Sequence, residues 1–205
     1  MSRYYTTNIS GEIKEEDFDL KIEFTQENAN KFKKTDNISF ADATAKQLEK
    51  YKVSTILDIG CGKYSPPVML VNSVLAVTGI DLNAERLEEA GEYYKEVKQL
   101  DAREALRYFG EKSFDAVIAF DFLEHLKKSE SIKLVSDCEK MARKLIVFFI
   151  PLEVVEVKEN QIDEALMAHK CSWTREEFEA MGYVIEYYNG PFNHILAIKG
   201  MDETL

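Results

Sequence analysis

The chemistry legible in this 205-residue chain rests on two glycines, a series of carboxylates that end apolar runs, and two histidines. Gly60 and Gly62 follow the apolar stretch ILDI at 56–59. Glycine lets the main chain turn sharply there and bring its N–H groups against a ligand, where a Cβ would obstruct. Asp81 ends the next apolar run, about 20 residues on, where a carboxylate accepts both hydroxyl hydrogens of a ribose. Together these residues define a nucleoside pocket. Ser65 stands where the dinucleotide fingerprint places its third glycine. Asp58, two residues before the turn, would repel a pyrophosphate and favours a ligand carrying an ammonium or sulfonium group. Its alternative role is to cap the helix that follows.

A second group of polar residues follows the run AVIAF at 116–120. His125, whose imidazole ordinarily titrates at about 6.5, can remove a proton from an attacking hydroxyl or amine, assistance worth ~10²–10⁴-fold. Asp121 and Glu124 are comparable candidates. His169 lies in a long connection and either faces the same site or pins that connection to the core.

These residues need an α/β sheet to bring them together. The apolar stretches at 53–59, 77–80, 113–120 and 144–150 read as strands, and 97–100 as the third strand of the series. AVIAF and KLIVFFI are continuous enough to be buried on both faces of a parallel sheet. Helices are expected at 40–51, from Pro66 to about Ser73, from Ala84 (capped by Asn83) to about Val97, over 103–109 and over 129–143. A Thr174/Glu177 capping box opens a further helix that Gly182 ends. Tyr183–Tyr188 and His194–Lys199 flank the turn signal Asn189-Gly190-Pro191, which predicts an antiparallel hairpin at the sheet edge. The carboxylates then converge on the carboxyl edge of the sheet, where open parallel sheets bind ligands.

Four motifs in this order, ILDIGCG at 56–62, TGIDL at 78–82, LDARE at 100–104 and FDAVIAFDFLEHL at 114–126, resemble those of the class I S-adenosylmethionine-dependent methyltransferases. The resemblance implies a doubly wound, mostly parallel seven-stranded sheet of order 3-2-1-4-5-7-6 with a C-terminal antiparallel hairpin. It implies S-adenosylmethionine as cofactor, held by Asp58, Gly60, Cys61, Gly62, Asp81 and Leu82. Asp101 would accept from the adenine amino group, Leu100 or Ala102 would pack on the ring, and Phe120–Asp121 would border the methionine end. His125, Asp121 and His169 are the candidate catalytic residues. Many members of the family have a glycine where this chain has Tyr64, which puts contacts at Lys63 and Tyr64 in question. The stretch His169–Trp173 followed by a capped helix and Gly182-Tyr183 also resembles a subgroup in which a histidine loop faces the active-site mouth.

The composition sets outer bounds. A net charge of −11 argues against a broad nucleic-acid surface, and no apolar run approaches a membrane span. Cys61, Cys138 and Cys171 read as free thiols in a cytoplasmic protein. His125, His169, His194 and the cysteines show no metal-ligand spacing, so no metal is expected. Residues 1–36 are expected to form an arm or lid, and 37–205 the methyltransferase domain. The acceptor is expected to be a small molecule, with a protein acceptor as the other possibility. Substrate choice would lie in the arm and the 151–173 connection, and an oligomer is compatible with the sequence. Two readings compete with an active methyltransferase. A nicotinamide-dependent dehydrogenase is disfavoured by Asp58, the missing glycine and the hairpin. A non-catalytic methyltransferase-like module acting through a protein partner is disfavoured by the intact carboxylates.

Overall fold

The computed structural model describes residues 40–71, 75–152, 168–188 and 193–201. The expected arm at 1–36, residues 153–167 of the 151–173 connection, the 189–191 turn and residues 202–205 lie outside the described residues. Helix α1 (Phe40–Lys50) is followed by β1 (Thr55–Ile59), α2 (Pro66–Val71), β2 (Ala76–Asp81), α3 (Ala84–Ala90) and β3 (Glu96–Gln99). A short 3-10 turn (Ala102–Glu104) leads into α4 (Ala105–Phe109), then β4 (Phe114–Phe120). A second 3-10 turn (Leu123–His125) precedes α5 (Lys128–Met141), β5 (Ala142–Pro151), α6 (Arg175–Ala180), β6 (Val184–Tyr188) and β7 (His194–Gly200).

The sheet order is β3-β2-β1-β4-β5-β7-β6, as the motifs imply. Strands β1 to β5 pair in parallel, and β7 lies antiparallel to both β5 and β6. Strand alternation divides the core between the two faces. Leu57, Val117, Ile146 and Phe148 face one layer with α5 and α6. Ile56, Ala116, Ile118 and Val147 face the other with α1 to α3. Every residue of β4 is buried, Asp115 included, and the strand is unbrokenly apolar from Ala116 to Phe120, as burial on both faces requires.

Two local expectations are met at the helix ends. Asn83 accepts the Arg86 N–H at 3.1 Å, and Thr174 and Glu177 cap reciprocally. The helix expected to run to Val97 instead stops at Ala90, with Gly91 as its cap. β3 must pair with β2 from Glu96 (Thr78↔Glu96), so the chain has to leave the helix early to reach the sheet edge. Tyr94 consequently turns inward and is buried rather than lying on a helix face.

The opposite, amino-terminal edge is tied by charge. Asp115 accepts from Arg143 Nε at 2.8 Å, from the Ser54 N–H at 2.9 Å and from Lys144 Nζ at 3.2 Å. Cys61, Cys138 and Cys171 are free and buried, and burial pushes all three thiols up. Among the described residues no helix is long and apolar enough to cross a membrane.

Candidate functional site

Strand order reverses between β1 and β4, and a cavity opens at the carboxyl ends of the strands on either side of that switch point, as expected of open parallel sheets. Gly60 lines its floor. Ile80, Asp81 and Leu82 enter from β2, and Asn83 and Arg86 from the start of α3. Leu100 to Arg103 form the β3 side, while Asp121, Phe122, His125 and Leu126 form the β4 side.

The glycine turn is held by the chain's own bonds. Gly60 and Gly62 take φ values of +68° and +56°, the left-handed region that side chains disfavour. A Cβ on Gly60 would fall 2.0 Å from the Phe122 ring, whereas one on Gly62 would meet nothing within 4 Å. Gly62 thus borders open space, but unlike Gly60 it does not line the cavity. Asp81 locks the turn. One of its oxygens accepts the Gly62 N–H at 3.0 Å and the other accepts the Asn83 N–H at 2.8 Å. A carboxylate has about four acceptor positions, so each oxygen keeps a lone pair for a ribose hydroxyl.

Asp58 does not line the cavity. It is buried beneath the turn, where one oxygen accepts from the Ser65 hydroxyl and the Tyr94 hydroxyl, each at 2.6 Å. Burial pushes its carboxyl up to about 7, against the lowering effect of those two donors. Its role here is to brace the turn rather than to meet a charged ligand. Tyr94 also accepts the Ser65 N–H at 3.0 Å, a link concealed in the sequence by the misplaced helix end. Cys61 is buried as well, and a Cβ on Gly79 would lie 2.8 Å from its sulfur.

On the β3 side, Ala102 is buried and Leu100 packs beside it, as a ring-binding surface requires. Asp101 reaches the cavity, but both of its oxygens are engaged by Arg103. The guanidinium donates to them at 2.6–3.1 Å, and the Arg103 N–H adds a bond at 2.9 Å. Those bonds hold the Asp101 carboxyl below its ordinary range despite its partial burial. Arg103 also reaches Glu130 at 2.7 Å. This arginine was not singled out in the sequence, although a basic residue two positions past a strand-ending aspartate is a recognisable partner for it.

On the β4 side, Phe120 is buried behind the cavity and Asp121 lines it with φ 46°. Aspartate tolerates that conformation better than most residues. Asp121 Oδ1 lies 3.2 Å from His194 Nε2, and the His194 ring stacks on Phe149 at 4.5 Å. This His194 partner, 73 residues away along the chain, also escaped the sequence reading. His125 lines the cavity with its Nδ1 3.3 Å from the Ala168 carbonyl. His169 stands edge-on to His125, their ring centroids 5.2 Å apart, and the Glu124 side chain lies buried between them. The chain spacing of these three side chains did not disclose their grouping.

A doubly wound sheet with a glycine turn, a strand-ending aspartate beside it and a closing antiparallel hairpin defines a Rossmann-like α/β class of protein. Residues 57–149 match the family model described as a methyltransferase domain. The fold is similar to the magnesium protoporphyrin IX methyltransferase of Synechocystis PCC 6803, solved with bound S-adenosylmethionine. That likeness has 16% identity and a TM-score of 0.57, covering 79% of this chain and 78% of that one. A methyltransferase from Archaeoglobus fulgidus is similar at 20% identity and a TM-score of 0.56, covering 78% of this chain and 94% of its own. No curated protein sequence matches the chain. The chain thus shares the fold of these methyltransferases, and its residues 57–149 are similar to a methyltransferase domain.

Proposed function

We propose that the protein transfers a methyl group from S-adenosylmethionine to a small-molecule acceptor at the carboxyl end of β4. The observation that carries this reading is Asp81, oriented by two backbone N–H groups at the mouth of the cavity, with a lone pair to spare on each oxygen. When bound, the cofactor supplies an electrophilic methyl carbon on a sulfonium, with a neutral thioether as leaving group. The chain holds it with the Gly60–Gly62 turn, accepts its ribose hydroxyl hydrogens at Asp81, and packs its adenine on Leu100 and Ala102. An adenine amino group reaches Asp101 only if Arg103 turns towards Glu130, its second partner.

Asp121, backed by His194, and His125 then flank the methyl-transfer end. The principal work there is to hold the acceptor in line with the methyl carbon, and positioning of that kind lowers a barrier by roughly 7–11 kcal/mol. An acceptor that arrives protonated gives its proton to Asp121, whose side chain is 55% exposed and so in reach of an entering molecule. A small acceptor accords with the acidic chain, and a solved protein of this fold is named for a porphyrin substrate.

Calorimetric titration of the purified chain with S-adenosylmethionine and with NAD tests the reading. Saturable binding of the former, its loss in Asp81→Ala and no response to NAD are expected. A folded protein that ignores S-adenosylmethionine would overturn it.

A further inference from the structure

Glu124 is a carboxyl group in a position that calls for a retained proton or a positive charge beside it. It is 1% exposed, and neither side-chain oxygen accepts a hydrogen bond from the described residues. A buried carboxylate without a partner is costly in any fold, and the usual solutions are a paired cation, a metal ion or a retained proton. The groups facing Glu124 are two imidazoles. His125 Nε2 lies 3.8 Å and His169 Nε2 3.9 Å from the same Glu124 oxygen. Both separations are too long for a hydrogen bond. They are within about half an ångström of the ~3.3 Å edge that tetrahedral ligands make when each stands 2.0–2.1 Å from a metal.

The tautomer points the same way. His125 Nδ1 faces the Ala168 carbonyl, which can only accept, so Nδ1 is the donor there, and in the neutral ring Nε2, 3.8 Å from Glu124, is left with its lone pair. A carbonyl partner on the far nitrogen is the usual support of a metal-ligating histidine. Backbone bonds hold the pieces in place. The Lys170 and Cys171 N–H groups donate to the Glu124 carbonyl at 2.7 and 3.2 Å, which fixes the His169 segment against the 3-10 turn bearing Glu124 and His125. One ligand atom from each of the three side chains lies within 4.8 Å of the others.

We propose that Glu124, His125 and His169 bind a first-row divalent cation at the edge of the cofactor cavity. Two imidazoles and one carboxylate suit borderline cations such as Zn²⁺, Fe²⁺ or Mn²⁺ better than Mg²⁺, which prefers oxygen ligands alone. Three protein ligands leave coordination positions open, and His125 itself lines the cavity. An acceptor bearing a hydroxyl or other oxygen donor can fill one of them, which would orient that oxygen toward the methyl carbon. The cation site stands on its own geometry, and only this use of it rests on the methyl-transfer reading.

Untagged, chelator-treated protein titrated with Co²⁺ and followed by visible absorption provides the test, with S-adenosylmethionine affinity measured in parallel. One Co²⁺ per chain is expected, displaced by Zn²⁺ and not by Mg²⁺. His169→Ala, which does not touch the cavity, is expected to weaken Co²⁺ at least about tenfold while leaving S-adenosylmethionine binding intact. Glu124→Gln keeps the shape and removes the charge. It is expected to fold at least as stably without metal and to lose the rise in Tm that Co²⁺ gives the natural chain. Absence of saturable Co²⁺ binding, or binding that both variants retain, overturns the proposal. Co²⁺ binding without S-adenosylmethionine binding would overturn the methyl-transfer reading alone and leave the cation site standing.

Discussion

Asp58 shows how far a single residue's identity can be read without its surroundings. A carboxylate two positions before a glycine turn is visible in the sequence, but whether it faces the ligand or the core is decided by Tyr94, which is 36 residues away along the chain. Buried, it contributes to stability chiefly when protonated. Its ordinary value is 3.8 and its folded value about 7, so the folded state binds the extra proton between those limits. The contribution is full below about pH 4 and is lost as pH rises through about 7. Asp58→Asn mimics the protonated form. The difference in Tm between variant and natural chain is therefore expected to grow in the variant's favour from pH 5 to about 8. A difference that stays flat across that range would show that Asp58 remains charged in the folded protein.

At the scale of elements, β1, β2, β4, β5 and β7 were legible because each is largely apolar and bounded by glycine, proline or a carboxylate, whereas β3, reading EVKQ, was placed by the order of the motifs. The caps at Asn83 and Thr174 were legible because they act through local hydrogen bonds. Long-range contacts were not. The end of α3 is set by the pairing of β3, and the approach of His169 to Glu124 is set by the packing of a late segment on α5. That packing has one principal fastener. Lys128 is buried, donates to the Ser172 carbonyl at 2.7 Å and to Glu177 at 2.8 Å, and lies 3.5 Å from the centre of the Trp173 ring. Lys128→Met preserves the apolar stem and removes the charge. A loss of about 1.5–3 kcal/mol is expected, the range for hydrogen bonds to charged groups. Trp173 is the chain's one tryptophan, so its emission reports the loosened segment directly. Co²⁺ affinity is expected to fall as well, with all three ligands present. Unchanged emission and affinity would show that the segment is held by its backbone bonds alone.

The whole molecule separates its tasks between the two edges of one sheet. The carboxyl edge carries the cavity, while the amino edge carries Asp115 with Arg143, Lys144 and the Ser54 N–H. Burial pushes the Asp115 carboxyl up, but these partners outweigh it and hold the group below its ordinary value. Its contribution is accordingly present above about pH 4 and lost as pH falls through the lowered value. Asp115→Asn is expected to reduce stability at neutral pH by about 2 kcal/mol in denaturant titration. It is expected to leave S-adenosylmethionine affinity unchanged. A large change in affinity would mean that the edges are coupled through the strands. The three buried thiols offer a way to watch such a molecule come apart. Cys61 sits in the glycine turn, Cys138 on α5 and Cys171 in the segment beside His169. Thiolates react and buried thiols do not, so a thiol-specific label should reach each one only when its own region opens. The order in which the three are labelled becomes a clock, and the lag between Cys171 and Cys61 measures how independently the late segment breathes from the glycine turn.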